Sequence, residues 1–187
     1  MLVERIEAKW IEVFAEVFRL CGVEPGDDCA VLAETQSRAI NVELSELALK
    51  RLGANVFRVT MQTPAQTAPV AIRSTGASDA IGGSAPVIAA LSQVALIADC
   101  TVEGLLHAPE LPQLLGGGAR VLMVSNEHPE ILERLVPNPS LEAKVKTGTK
   151  MLRAAKEMRV TSSAGTDLTI DVETAPAGSS WGYTARP

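Results

Sequence analysis

Four short apolar runs punctuate this chain, and the segments between them leave few folds open. The runs are DDCAVLAE (27–34), ANVFRVTM (54–61), VALIADC (94–100) and ARVLMVS (119–125), each flanked by Gly, Pro or polar turn residues. Runs of this length, so bounded, read as buried strands. Between the first two, residues 40–52 place Val42, Leu47, Ala48 and Leu52 at helical spacing and stop at Gly53. That is a strand–helix–strand unit of about 30 residues. Residues 85–93 predict a short helix with Pro86 in its first turn, and PELPQLL (109–115) another, closed by Gly116, Gly117 and Gly118. Strands that alternate with helices pair in parallel, because each crossover returns the chain to the same end of the sheet. The expected fold class is therefore α/β: an open, mainly parallel, Rossmann-like sheet with helices on both faces.

The flanks add to this frame. Residues 3–20 alternate an apolar stripe (Val3, Ile6, Trp10, Val13, Phe14, Val17) with a charged one (Glu4, Glu7, Lys9, Glu12, Glu16, Arg19), so they predict an amphipathic helix before the first strand. HPEILERLV (128–136) and residues 139–158, which carry Leu141, Val145, Met151, Leu152 and Ala155, predict two more. Near Met158 the period switches from helical to alternating. RVTSSAGTDLTIDVE reads as a β-hairpin, 160–162 against 168–172, around Ala164-Gly165. The expected division is an α/β domain over 1–157 and, over 158–187, a hairpin that starts a second domain. Trp181 and Tyr183 have almost no sequence after them to pack against, so the tail reads as interrupted.

Composition excludes several function classes. A chain of 187 residues, 47% of them apolar, can bury the core of one domain, and with only 3% aromatics that core must be Ala, Val, Leu and Ile. Seventeen basic against 22 acidic residues leave a net charge of −5 with no long basic block, which argues against nucleic acid and against an anionic membrane surface as partners. The apolar stretch PVIAALSQVALIA is interrupted and too short to span a bilayer, and MLVERIEAKW lacks the apolar segment of a signal peptide. Cys21, Cys29 and Cys100 form no CxxC pair and are expected to be buried, reduced thiols of a cytosolic protein.

Ligand sites in open α/β sheets lie beyond the carboxyl ends of the strands. Here those ends are Asp99 with the following loop, the ETQSR loop (34–38) and the MQTPAQT loop (61–67). Residues 62–84 are rich in Thr, Ser, Ala, Gly and Pro, and read either as a functional, mobile loop or as a surface excursion with one short helix. No dinucleotide or phosphate fingerprint is present: the first strand runs into AETQSR, and GGGAR lies between a helix and a strand, the wrong order for a phosphate cradle. The two histidines, His107 and His128, show no metal-binding spacing, and His128 before PEIL reads as a surface residue at a helix start. Cys100, just past a strand end, could meet His107 by loop folding, but it reads first as a buried packing thiol. His107 in GLLHAPEL has two readings. It is a solvated residue flanking a helix, or a neutral imidazole, kept partly dry by Leu105 and Leu106, that accepts a proton near pH 7.

LLHAPE after an apolar strand ending in Asp resembles the 2,5-dihydroxypyridine 5,6-dioxygenases, iron(II) ring-cleaving enzymes of nicotinic-acid breakdown. Further likeness lies in ARVLMVSNEHPEILERLVP, in GTKMLRAAKEMRVTSSAGTDLTI and in Gly182-Tyr183. The family's fold is related to the aminopeptidase T-type metallopeptidases. The resemblance implies an N-terminal α/β part of a cytoplasmic enzyme, an oligomer of this chain, whose Fe(II) is bound by residues of a C-terminal half or second chain. It implies an N-heteroaromatic substrate, His107 as a base on a loop over the ring, and Leu106 as a substrate contact. Where the family carries an acid before its Gly-Tyr, this chain has Ser180 and Trp181. Two further readings stand beside it: a metal-dependent hydrolase that opens an amide or cyclic amide, and a non-catalytic scaffold that uses Trp181 and Tyr183 to hold a partner.

Overall fold

The computed structural model describes residues 5–65, 76–124 and 126–186; Val3 and Glu4 of the expected first helix, the middle of the 62–84 stretch and Ser125 lie outside the described residues. The chain divides into two compact units, residues up to Val136 together with those from Tyr183, and Pro137–Gly182.

The first unit is built on four parallel strands: β1 (Asp28–Glu34), β2 (Asn55–Met61), β3 (Leu96–Asp99) and β4 (Arg120–Met123), in the order β2-β1-β3-β4. All three pairings are parallel, with Asp28 opposite Asn55, Leu32 opposite Asp99 and Asp99 opposite Met123. The chain moves outward from β1 to β2, then crosses back to lay β3 on the other side of β1. The order reverses between β1 and β3, and the carboxyl ends of these two strands flank the reversal point.

Among the described residues six helices interleave: α1 (Ala8–Leu20), α2 (Ala39–Arg51), α3 (Ala85–Leu91), α4 (Leu111–Gly116), α5 (Pro129–Arg134) and, in the second unit, α6 (Leu141–Ala154). Side chains alternate across a strand, and the core divides accordingly. Cys29, Val31, Ala33, Leu96, Ala98 and Cys100 pack with Trp10, Phe14 and Phe18 of α1 and with Leu44, Ala48 and Leu49 of α2. Ala30, Leu32 and Ile97 face the other way, against Ile81, Leu91 of α3, Leu105 and Leu114 of α4. Helices thus cover both faces, as the apolar runs require, and β1 is buried from Cys29 to Glu34. Three of the six aromatics, Trp10, Phe14 and Phe18, lie on α1, where the Phe14 and Phe18 rings meet edge-on at 6.3 Å. Burying each such ring contributes roughly 1.5–3 kcal/mol.

The phase of α2 differs from the sequence expectation. Leu47 is exposed and Leu52 only partly buried, while Asn41 and Ser45 are inside. The reason is polar: Ser45 Oγ donates to the Asn41 carbonyl (2.8 Å) and lies 3.5 Å from Cys100 Sγ, so a hydroxyl fills a core position with its partner supplied. All three cysteines are free and buried. The outer edge of β2 carries Arg58, bonded to Glu43 and Glu46 of α2, and a charged edge discourages further strand pairing.

In the second unit α6 ends at Ala154, four residues before the expected end, because Glu157 and Met158 are taken into a strand. β5 (Glu157–Thr161) pairs antiparallel with β6 (Asp167–Asp171), Val160 opposite Leu168 and Met158 opposite Ile170. Ladder hydrogen bonds here override the helix preference of Ala-Lys-Glu-Met. Arg153 donates twice to the Ala177 carbonyl, and Lys146 Nζ stands 5.1 Å above the Trp181 ring. Tyr183, back in the first unit, packs against the α1 side of the core, and the Thr184 amide donates to Cys21 Sγ. Trp181 and Tyr183 are therefore engaged within their own units, not left unanchored as their place near the end of the sequence suggested. No helix among the described residues is long and apolar enough to cross a membrane.

Candidate functional site

The rim beyond the carboxyl ends of β1 and β3 is organised by two buried acids. Asp99 ends β3 with no exposed surface. Its Oδ1 accepts from the Thr101 hydroxyl (2.6 Å) and amide (3.0 Å), and its Oδ2 from the Leu105 amide (2.7 Å). Burial pushes its carboxyl up to about 6, the Thr101 and Leu105 hydrogen bonds oppose that rise, and the nearby charge of Glu34 adds to it. Thr101 Oγ1 in turn accepts the Gly104 amide. One carboxylate thereby sets the turn that follows β3.

Glu34 ends β1 and is also buried. Its Oε1 accepts from Ser78 Oγ (2.6 Å) and from the Val102 amide (3.2 Å). The Ser78 amide donates to the Gly104 carbonyl (2.8 Å), and the His107 amide to the Gly76 carbonyl (2.7 Å). The segments 76–78 and 101–107 are thus laced together at the reversal point. Gly76 has φ +61, and a Cβ added there would meet His107 Cδ2 at 3.4 Å, so the imidazole lies against bare backbone.

The rest of the rim is polar. Ser37 Oγ donates to the Cys100 carbonyl, Thr63 Oγ1 accepts the Gln36 amide, and Arg38 Nε donates to the Asn126 carbonyl. On the far side Glu110, at the start of α4, accepts the Gly83 amide through Oε1.

His107 stands exposed on this rim, in the turn between β3 and α4. The two leucines before it do different things. Leu105 is fully buried in the core, whereas Leu106 is 63% exposed beside the imidazole. The expectation that both leucines shield His107 is corrected: one anchors the turn, the other stands at the surface, and the imidazole is open to solvent rather than partly dry. Cys100 is a packing thiol. It is buried on the α2 side, contacts Ser45 and the Asn41 carbonyl, and burial pushes its thiol up to about 12, far from a nucleophile's range. His128 is the N-cap of α5; its Nδ1 accepts the Glu130 amide (3.3 Å) and its ring meets Trp10 edge-on at 5.5 Å. The sequence placed Glu34 in the ETQSR loop and Gly76 and Ser78 in the 62–84 stretch, but gave none of the three a role of its own. The only signal for Glu34 was an acid closing an apolar run, and Ser78 lies 44 residues from it.

Among the described residues no three or more His, Cys, Asp or Glu side chains gather as metal ligands. At the rim Asp99 commits both oxygens, and Glu34 one, to amide and hydroxyl donors. The donor set of the described residues does not fit an iron centre.

Fold and rim together define the class: a parallel α/β domain with an exposed imidazole on a clamped loop at the sheet's reversal point, where open α/β sheets place their ligand sites. The model of the family described as 2,5-dihydroxypyridine 5,6-dioxygenase (NicX) matches residues 9–187, and the chain belongs to that family. It is 30% identical over 184 residues to the curated 2,5-dihydroxypyridine 5,6-dioxygenase of Pseudomonas putida, a match covering 96% of this chain and 51% of that protein. The solved structure of the 2,5-dihydroxypyridine dioxygenase from Pseudomonas putida KT2440 superposes with a TM-score of 0.83 at 29% identity, over 98% of this chain and 53% of that one. The chain spans about half the length of these relatives.

Proposed function

We propose that this chain is the N-terminal part of a non-haem iron(II) dioxygenase that cleaves the ring of a dihydroxypyridine-like N-heteroaromatic, and that His107 is its base. The observation that carries the reading is His107 itself. An exposed imidazole, its backbone held by Gly76, stands at the ligand rim of a chain whose relatives are named for this reaction. The residues do three things. The His107 imidazole accepts the proton of a ring hydroxyl through a ring nitrogen, as a positioned imidazole base does. Leu106, exposed before the ligand arrives, covers the ring and excludes water, a burial that contributes roughly 1.5–3 kcal/mol. Glu34 and Asp99 keep the loop in place.

The iron belongs to polypeptide outside these 187 residues, in the remaining half of a longer chain or in a second chain, with residues 158–187 leading into that metal-binding domain. The free, buried cysteines support a reducing, cytoplasmic setting.

The test is His107→Ala in the complete, iron-loaded enzyme, with turnover of 2,5-dihydroxypyridine as the measurement. The expected result is a fall in kcat of about 100-fold or more, the usual contribution of a positioned base. An unchanged kcat/KM removes His107 from the chemistry. Product formed without oxygen replaces ring-cleaving oxygenation with hydrolysis.

A further inference from the structure

We propose that Glu34 is a positioning residue for His107: one buried carboxylate oxygen at the end of β1 clasps the two segments that set where the imidazole stands. The proposal rests on the reading of His107 as the base. Its geometry is local. Glu34 Oε1 accepts from Ser78 on one segment and from the Val102 amide on the other. Ser78 hands the tie on to the Gly104 carbonyl, and two residues before Ser78 the Gly76 carbonyl holds the His107 amide. Removing the Glu34 carboxylate cuts the side-chain tie of Ser78 and leaves the backbone bonds of Ser78 and Gly76 to the loop.

The acid is the central member for a reason of topology. β1 is buried on both sides between β2 and β3, so its last residue is fixed by the sheet, while both segments it binds are connections. A rigid strand end thus disciplines two loops, as a site needs when displacement of a reacting group by about 1 Å can lower its rate about 100-fold. Asp99 does not duplicate this role. The bonds of its carboxylate run within 99–105 and do not reach the 76–78 segment. Glu34 touches no reacting atom and acts through His107 alone.

A double-mutant cycle in the complete iron-loaded enzyme separates this role from mere stability. Glu34→Ala is expected to lower kcat for 2,5-dihydroxypyridine about tenfold, and Glu34→Gln, whose amide oxygen still accepts both bonds, to restore it to within about threefold. Ser78→Ala removes one of the two bonds and little volume, so it should fall between them and keeps the test open if Glu34→Ala does not fold. In a His107→Ala background the Glu34 and Ser78 substitutions should cost less than about twofold more, because there is no imidazole left to misplace. Amide hydrogen exchange over 101–107 should quicken in Glu34→Ala and Ser78→Ala but not in Glu34→Gln. Losses of the same size with and without His107 overturn the positioning role and leave the base intact. A single His107→Ala variant with unchanged rate instead takes the base reading down, and this proposal with it.

Discussion

Gly104 shows how narrowly one position is specified. Its φ of +83 is a left-handed conformation, and a Cβ added there would fall 2.6 Å from Met123 Sδ and 2.7 Å from Cε. The thioether can swing away, since Met123 is partly exposed at the end of an edge strand, but the backbone cannot follow it. A left-handed non-glycine residue costs about 1–2 kcal/mol. Gly104→Ala should therefore lower Tm by about 2–8 °C in a melt followed by circular dichroism. It should lower kcat as well, because the Gly104 carbonyl is the acceptor for Ser78. A loss of Tm with full turnover would mean that the turn tolerates a shift that the chemistry does not feel. At this scale the sequence was only partly legible. GLLHAPEL made His107 visible, yet nothing in it separates a leucine that anchors from a leucine that stands out, because that depends on which way a non-periodic turn faces. Glu34 and Ser78 were invisible as a pair, since their contact depends on two connections folding toward each other.

At the scale of elements, the turn after β3 is held by a carboxyl that burial makes reluctant to ionise. Its pKa, raised from 3.8 to about 6, fixes the sign of a pH effect. Between those values the folded chain holds a proton that the unfolded chain has released. The contribution of Asp99 is thus fully present below pH 3.8 and lost as pH rises through 6, at about 1.4 kcal/mol per pH unit across that window. Asp99→Asn removes the titration but turns an amide NH2 toward the donors of Thr101 or Leu105. The variant should be less stable than the parent, with a deficit that shrinks between pH 4 and pH 7 in urea unfolding; a deficit that grows across that range would contradict the assignment. Helices and strands themselves were well marked by period and by Gly and Pro. The errors came where a polar residue substitutes for an apolar one. Ser45 and Asn41 occupy core positions on α2 because Cys100 and backbone carbonyls satisfy them, and a reading that sorts residues only by polarity puts Leu47 inside instead.

At the scale of the whole molecule, the four apolar runs were enough to place a parallel sheet with helices on both faces, because crossover connections leave little choice. The position of β3 across β1 was not readable, since no local pattern encodes strand order. The period change near Met158 drew attention to the hairpin, while the compact units part at Val136, before α6, and the last residues from Tyr183 rejoin the first unit. The second unit is thus a guest spliced into a host at a single seam. A Cβ on Gly182 would stand 3.0 Å from Pro137 Cγ, so the guest's own entrance and exit touch. A bridge of a few residues from Val136 to Tyr183 is all that the host's covalent path requires, and grafts at such seams are commonly tolerated. Should a chain so shortened still melt in one cooperative step, the host's folding code would be shown to reside in two separate stretches of sequence, with everything between them free to be exchanged.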